Sequence, residues 1–428
     1  MYALADCNTF YASCEKAFRP DLARKPVVVL SNNDGCVIAL SNEAKALGLK
    51  MGSPYFQVKE LCQRQGVVAF SSNYELYADM SARVMETLRE LVPDVEVYSI
   101  DEAFLDLDRM PHVDLHAFAR HLRKTVSRNT GIPVSIGVGT TKTLAKAANR
   151  YAKRKTTDFA WTIDTEEERQ RILTWLETGD VWGIGHRLQA RLAAMGVHTA
   201  WDFANLDSRV VRKTFSVTVQ RVLWELQGTR CYGIAQEKPK KEIICSRAFG
   251  RVIYSSAELE QAVAKYVARA AEKLRSQQGY TQRVVVYAEG SNRFKDDLPW
   301  YYSTLVGLPR PTANTGELIT ACTKAAHSLF EKRPLRPDPR NPCSGFRKAG
   351  VTLTDITWAG EAQRELLVPL PSERSEKLMA TMDRINTRYG RNALFNARMG
   401  IEPRWRMRRE LKSPNYTTRL SDIPPVFC

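Results

Sequence analysis

The chain has 428 residues and a formal net charge of +16, with 44% hydrophobic and 26% charged residues. That length exceeds what one hydrophobic core serves and predicts several domains of roughly 100–150 residues each, while the composition is that of a soluble globular protein. The basic excess points to a polyanionic partner, nucleic acid before an anionic membrane surface. The apolar run Tyr2–Ala5 stops at Asp6, far short of the roughly 20 apolar residues of a membrane span, and it carries no signal-peptide pattern. Nine scattered cysteines without a Cys-x-x-Cys exclude a disulfide frame and a zinc site, and predict reduced thiols in a cytoplasmic protein. His112, His116 and His121, without Cys or carboxylate partners, read as a solvated helix face.

Residues 1–6 predict a short strand running into Asp6, and 10–18 a helix. Residues 26–30 form a β-branched strand, 31–35 a turn, 37–40 another strand, and 42–47 a short helix stopped by Gly48. A strong amphipathic pattern over 77–91 predicts a helix ending before Pro93. Strands at 95–100 and 103–107 flank Asp101 and Glu102, and a helix at 115–130, a strand at 134–138 and a helix from Thr143 to about Lys153 follow. Together they predict one α+β domain with a smaller insertion near residues 20–75. Residues 166–230 are almost purely helical in pattern, and the basic, proline-containing stretch 236–241 reads as a linker. A second α+β unit is predicted from a strand near Ile243, helices at 258–276 and 316–332, and strands at 283–288 and 350–354. The four prolines of 333–342 mark an irregular loop, and the last residues, roughly 75, predict another helical segment with a basic tail.

Three constellations carry chemistry. Asp6 ends the first strand, and Asp101-Glu102 sit at a hairpin tip. Adjacent carboxylates beside apolar runs are costly unless a cation relieves them, and a pair of Mg²⁺ ions would do so. By spacing alone the pair fits a polar hairpin turn equally well. Lys142, Lys146, Arg150 and Lys153 recur at steps of four, four and three and so share one helix face. A solvated lysine face is the plain alternative, but the absence of interspersed acids favours phosphate binding. Gly183-Ile184-Gly185 before a helical pattern lets backbone amides approach a phosphate, without reading sequence; alone it is a weak signal.

These motifs stand in an order that resembles the Y-family DNA polymerases: Asp6-Cys7-Asn8-Thr9-Phe10-Tyr11-Ala12-Ser13-Cys14-Glu15, Tyr98-Ser99-Ile100-Asp101-Glu102-Ala103-Phe104, Ser135-Ile136-Gly137-Val138-Gly139 with Lys142 and Lys146, then the glycine hairpin. Further stretches, Arg19–Leu22, Lys25–Ile38, Phe70–Met80 and Glu242–Arg247, resemble its UmuC type, the catalytic subunit of bacterial DNA polymerase V. The resemblance covers essentially the whole chain. It implies an α+β multidomain right-hand polymerase with a palm (1–19 and 76–165), small fingers (20–75), a helical thumb with a helix-hairpin-helix (166–235), the linker 236–241, an α+β little finger (242–354) and a C-terminal extension (355–428). It implies error-prone translesion synthesis in the SOS response to DNA damage, with primer-template DNA and dNTP as substrates. Asp6, Asp101 and Glu102 match the carboxylates for two Mg²⁺ ions, with the Cys7 carbonyl as a further ligand. Tyr11 matches the steric gate against the ribose 2′-hydroxyl, with Phe10 beside it, and Lys153 a contact to the incoming triphosphate. Val37 and Ile38 match the finger surface over the nascent base pair. With Lys142, Lys146, Arg150, Gly183, Gly185 and Arg247 they make up the DNA-binding set.

The chain departs from the family pattern at three points. Asn8 stands where many members have Asp, leaving three carboxylates. Asn42 and Lys45 stand where many have Tyr and Arg; Lys45 keeps the charge but loses the bidentate fork. Near the C-terminus, Gln363, Leu366 and Leu367 occupy the place of a sliding-clamp peptide, with an ordinary amphipathic turn as the alternative. Arg404, Arg406, Arg408 and Arg409 around Trp405 suggest single-stranded DNA binding through charge and stacking, or a plain solvated tail. The resemblance also implies a processed UmuD-type dimer and RecA as partners, and a cytoplasmic, nucleoid-associated enzyme. Two rivals are a two-metal nuclease and a DNA-binding factor with a dead site.

Overall fold

The computed structural model describes residues 1–110, 114–235, 239–290, 300–334, 345–358 and 373–423. Packing divides the chain into two compact units, Met1–Glu237 with Glu410–Cys428, and Lys238–Arg409. The first boundary falls inside the linker predicted at 236–241. The return of the tail to the first unit has no counterpart in the sequence reading.

The first unit opens with β1 (Tyr2–Cys7), α1 (Phe10–Ala17), β2 (Val27–Leu30), β3 (Val37–Leu40), α2 (Asn42–Ala46), α3 (Tyr55–Arg64), β4 (Val68–Ser71) and α4 (Tyr74–Leu91). It continues with β5 (Asp94–Val97), β6 (Glu102–Asp106), α5 (Leu115–Thr130), β7 (Val134–Gly139), α6 (Lys142–Lys155) and β8 (Ala160–Thr162). Five strands make one sheet in the order β5-β6-β1-β7-β8, with β1 at its centre and antiparallel to both neighbours. Alternation along β1 sorts its residues between two faces. Ala3, Ala5 and Cys7 join Leu76 and Leu88 of α4 and Leu122 and Val126 of α5 in one core. Tyr2, Leu4 and Phe104 pack instead with Ala145 of α6. Asp6 lies directly opposite Glu102 in the β1–β6 register, so both carboxylates belong to the α6 face. That helix presses close because Gly137 has no side chain: a Cβ there would stand 2.0 Å from the Asn149 backbone nitrogen. The Asn149 side chain then donates to the Leu4 and Ser135 carbonyls at 3.2 and 2.8 Å.

Strands β3, β2 and β4 form a small separate sheet. Five helices follow: α7 (Glu166–Trp175), α8 (His186–Ala193), α9 (Ala200–Ala204), α10 (Ser208–Thr214) and α11 (Val217–Leu226). They close a core with Leu144, Ala147 and Ala148 on the outer side of α6.

The second unit comprises β9 (Ile243–Ile253), α12 (Ser256–Ser276), β10 (Gly279–Gly290), β11 (Tyr301–Thr312), α13 (Thr315–Glu331), β12 (Phe346–Trp358) and α14 (Glu373–Tyr389). Its antiparallel sheet runs β11-β10-β12-β9 and packs against α12 and α13.

The sequence reading missed α3, β4, β8 and β11. Strand β11 contains Gly307, Pro309 and Pro311, residues that argue against a strand interior; it is an edge strand, where a missing N–H costs no ladder bond. Past Tyr389 the expected helical segment gives way to irregular chain with single 3₁₀ turns at Ala397–Met399 and Leu420–Asp422. Trp405 is no stacking platform: it is 4% exposed and packs edge-on against Phe249 and Tyr266 of the second unit's core. The clamp-peptide residues Gln363, Leu366 and Leu367 lie outside the described residues, as does His112.

Candidate active site

Where β1 ends, the chain must turn sharply into α1. Thr9 does this with a left-handed backbone at φ 49°, uncommon for a β-branched residue and a mark of local strain. Ser13 donates to the Asn8 carbonyl at 2.7 Å, and Ser135 donates to the Asn8 side chain at 2.8 Å. Asn8 is thus committed to holding the turn. The opposite turn is built by Ser99, whose hydroxyl accepts from the amides of Asp101 and Glu102 at 3.3 and 3.0 Å and donates to an Asp101 carboxylate oxygen at 2.6 Å. The Cys7 amide donates to the Asp101 carbonyl at 2.8 Å, tying the two turns together. The polar-turn and metal readings of Asp101-Glu102 are therefore compatible: the turn presents the carboxylates.

All three acids are half-buried, and each has its own partner. Lys153 reaches Asp6 at 2.5 Å, and Lys146 straddles both Glu102 oxygens at 3.0 Å. Desolvation pushes the Asp6 carboxyl up to about 6, against the pull of Lys153 and with help from the facing Glu102. Burial, then Asp6 and Asp101, raise the Cys7 thiol. An all-oxygen donor set with facing carboxylates that need countercharge suits a hard divalent cation. Among the described residues, no three His, Cys, Asp or Glu side chains already surround a common point; two ammonium groups provide the countercharge instead.

Asp6, Cys7, Phe10, Tyr11, Ile38, Lys45, Asp101 and Lys153 line an open cleft of about 570 Å³. The cleft is large enough for a ligand of nucleoside-triphosphate size. Tyr11 lies on the cleft wall, stacked on Tyr77 at 4.5 Å between ring centroids and 18° between planes, with Tyr74 against it edge-on. Burial raises the Tyr11 phenol. Burial and the nearby Lys153 lower the Lys45 ammonium, an environment that favours an anion between them. Sequence reasoning missed the Tyr74 and Tyr77 supports, Ser99, and the lining residues Lys50 and Met51.

The remaining predicted residues divide. Of Val37 and Ile38, only Ile38 faces the cleft; Val37 is wholly buried in the core of the small sheet. Asn42 is exposed at the start of α2, outside the cleft lining. On α6 the predicted basic stripe meets acids at every position. Lys142 is 2% exposed, bonds Glu96 at 2.5 Å and lies over the Phe104 ring. Arg150 bonds Asp180, and Lys146 and Lys153 hold Glu102 and Asp6. Acids absent from the helix itself arrive from other elements, and of the four cations only Lys142 is closed off from solvent. Gly183 supplies the positive φ, 88°, that precedes α8, and Gly185 caps that helix. Arg247 is exposed on β9.

With this geometry in hand, residues 5–150 match the impB/mucB/samB family, 240–366 the C-terminal domain of that family, and 376–426 a domain of unknown function, DUF4113. Protein UmuC of Salmonella typhimurium is 45% identical over 99% of both chains, and protein MucB of Escherichia coli 41% identical over 99% of both. DNA polymerase IV of Moorella thermoacetica is 29% identical over 92% of this chain and 94% of its own. Among solved structures, a chimera of the Y-family DNA polymerases Dbh and Dpo4 superposes with a TM-score of 0.65 at 22% identity, covering 83% of this chain and 99% of that one. An insertion ternary complex of Dbh DNA polymerase gives a TM-score of 0.52 over 83% of this chain and 99% of that one, also at 22% identity.

Proposed function

Because this chain belongs to the impB/mucB/samB family and carries the fold of Y-family DNA polymerases, we propose that it is a DNA-directed DNA polymerase performing translesion synthesis. One observation carries the reading: Asp6, Asp101, Tyr11 and Lys153 line one cleft, and Glu102 faces Asp6 across the sheet register. In this reading the first unit supplies palm (1–19 and 76–165), fingers (20–75) and thumb (166–235), and residues 242–354 are the little finger.

Asp6, Asp101, Glu102 and the Cys7 carbonyl would hold two Mg²⁺ ions, which when bound supply charge neutralisation and nucleophile activation for in-line phosphoryl transfer. The primer 3′-hydroxyl attacks the α-phosphate of a templated dNTP, a new P–O bond forms, and pyrophosphate leaves. Lys153 is placed to exchange its carboxylate partner for a phosphate oxygen of the triphosphate, with Lys45 beside it. The Tyr11 ring blocks the position a ribose 2′-hydroxyl would take. A small finger sheet makes few contacts to the nascent pair and tolerates damaged templates. The partners proposed are primer-template DNA, a processed UmuD-type dimer, RecA and a sliding clamp, in an SOS-induced enzyme of the cytoplasm and nucleoid.

A two-metal nuclease would use the same carboxylates but leaves the Tyr11 stack and Lys153 without a role. The deciding measurement is incorporation of one labelled dNTP on a primed template. Extension that needs Mg²⁺ and disappears in Asp101→Ala supports the polymerase; strand loss without extension overturns it.

A further inference from the structure

Tyr11 does not hold its ring alone. Tyr77, fully buried, lies flat against it. The Tyr77 hydroxyl donates to Glu15 at 2.6 Å. Glu15 sits one helical turn after Tyr11 on α1, so its carboxylate anchors the far end of the ring that covers Tyr11. Glu15 is itself fully buried, and the oxygen that accepts from Tyr77 accepts a second bond, 3.1 Å long, from the hydroxyl of Ser413. Its other oxygen is buried with no hydrogen-bond partner.

Ser413 comes from the tail that rejoins the first unit, and several hydrogen bonds hold it there. The Asn73 side chain donates to the Ser413 carbonyl and hydroxyl at 3.1 and 2.9 Å and to the Pro414 carbonyl at 3.1 Å. On its other side Asn73 caps α4, accepting from the Leu76 amide at 3.3 Å, and α4 is the helix that bears Tyr74 and Tyr77. The Ser71 amide bonds the Leu411 carbonyl at 3.0 Å, and the Leu411 amide bonds the Ser71 hydroxyl at 2.9 Å. Tyr416 stacks on Phe18 with centroids 4.8 Å apart. The tail is therefore tied to the end of the small sheet, to the start of α4 and to the end of α1, all within the unit that bears the cleft.

We propose that Ser413, acting through Glu15 and Tyr77, is a positioning residue for the Tyr11 ring and so for discrimination between deoxyribose and ribose. The inference rests on the reading of Tyr11 as the sugar gate. Without the Ser413 bond, Glu15 keeps one neutral donor for a buried carboxylate and shifts toward water, taking the Tyr77 hydroxyl with it. The Tyr11 ring then loses its flat support while the carboxylates, Lys153 and the rest of the cleft are untouched. The sequence region concerned, which matches a domain of unknown function, thereby acquires a role in substrate choice.

The test compares kcat/KM for dNTP and rNTP incorporation by the full chain on a primed template, for the unmutated protein, Ser413→Ala, Ser413→Thr, Tyr77→Phe and Tyr11→Ala. A hydrogen bond to a carboxylate is worth about 1.5–3 kcal/mol, so Ser413→Ala and Tyr77→Phe are each expected to raise relative rNTP use about tenfold or more, with dNTP incorporation retained. Ser413→Thr keeps the hydroxyl and the original selectivity, and adding Ser413→Ala to Tyr11→Ala changes nothing further. If Tyr11→Ala leaves sugar selectivity unchanged, the gate reading falls and this inference with it. If Tyr11→Ala relaxes selectivity while Ser413→Ala and Tyr77→Phe do not, the gate stands and the tail's role is overturned. Equal losses with both sugars would likewise overturn it, as the mark of a purely structural contact.

Discussion

Glu15 is a carboxyl closed off from water, and burial pushes it up to about 7 against the pull of its Tyr77 and Ser413 bonds and of Lys412. A carboxyl whose folded-state value lies above its unfolded value binds protons more tightly when folded. Its favourable contribution is complete below about 4.5 and is lost as the pH rises through about 7. Thermal stability of the unmutated chain should therefore fall over that interval by more than in Glu15→Gln, and melting curves at pH 5.5 and 8 compare the two; parallel curves would remove the assignment. Lys153 gives a second residue-scale expectation. A charged hydrogen bond to a phosphate is worth about 1.5–3 kcal/mol, so Lys153→Ala should lower kcat/KM for dNTP by about 10- to 100-fold, read in single-nucleotide incorporation. Asp6, Asp101 and Tyr11 were legible in the sequence because strand ends and motif order expose them. Ser413 was not, since a serine 398 positions from its partner Glu15 leaves no periodic trace.

At the scale of the element, α6 shows what helical periodicity leaves out. Its basic residues recur at helical spacing and do share one side, yet their counter-ions come from β5, β6, β1 and the loop before α8, none of them readable from the helix. Lys142→Ala would strand Glu96, which also accepts from the Ala235 amide at 2.5 Å, and breaking such a buried pair costs about 3–5 kcal/mol. The expected outcome is a large drop in the denaturant midpoint, with the salt dependence of DNA binding unchanged. A phosphate contact would instead lower the salt slope by about 1, and that result would restore the stripe. Strand β11 illustrates the converse failure: glycine and proline argue locally for a loop, and only its position at a sheet edge makes a strand permissible.

At the scale of the whole molecule, the division of the chain near residue 237 coincides with the polar, proline-containing stretch read from composition, and the α+β pattern of both units followed from alternation and helical period. The crossing back at residue 410 was invisible, because the bonds that hold the tail are polar, specific and spread over Asp34, Ser71, Asn73 and Glu15. A chain ending at Arg409 should keep the second unit intact and loosen the first. Hydrogen exchange should speed up at the Ser71 amide by about fivefold or more, the equivalent of one lost bond, while amides of β10 keep their protection. Unchanged exchange at Ser71 would mean the tail is dispensable to the first unit.

The same crossing has a consequence for biosynthesis. Domains tend to fold as they emerge, the N-terminal parts first. Here the first unit's last pieces, residues 410–423, are translated only after the whole of Lys238–Arg409. A nascent chain can thus acquire its cleft, carboxylates and lysines early, but the tail that braces Glu15 and Tyr77 arrives only after the whole second unit has been made. Ribosomes that stall or terminate before residue 413 would release chains with the cleft assembled and, on the proposed role of Tyr11, the choice of sugar unfinished.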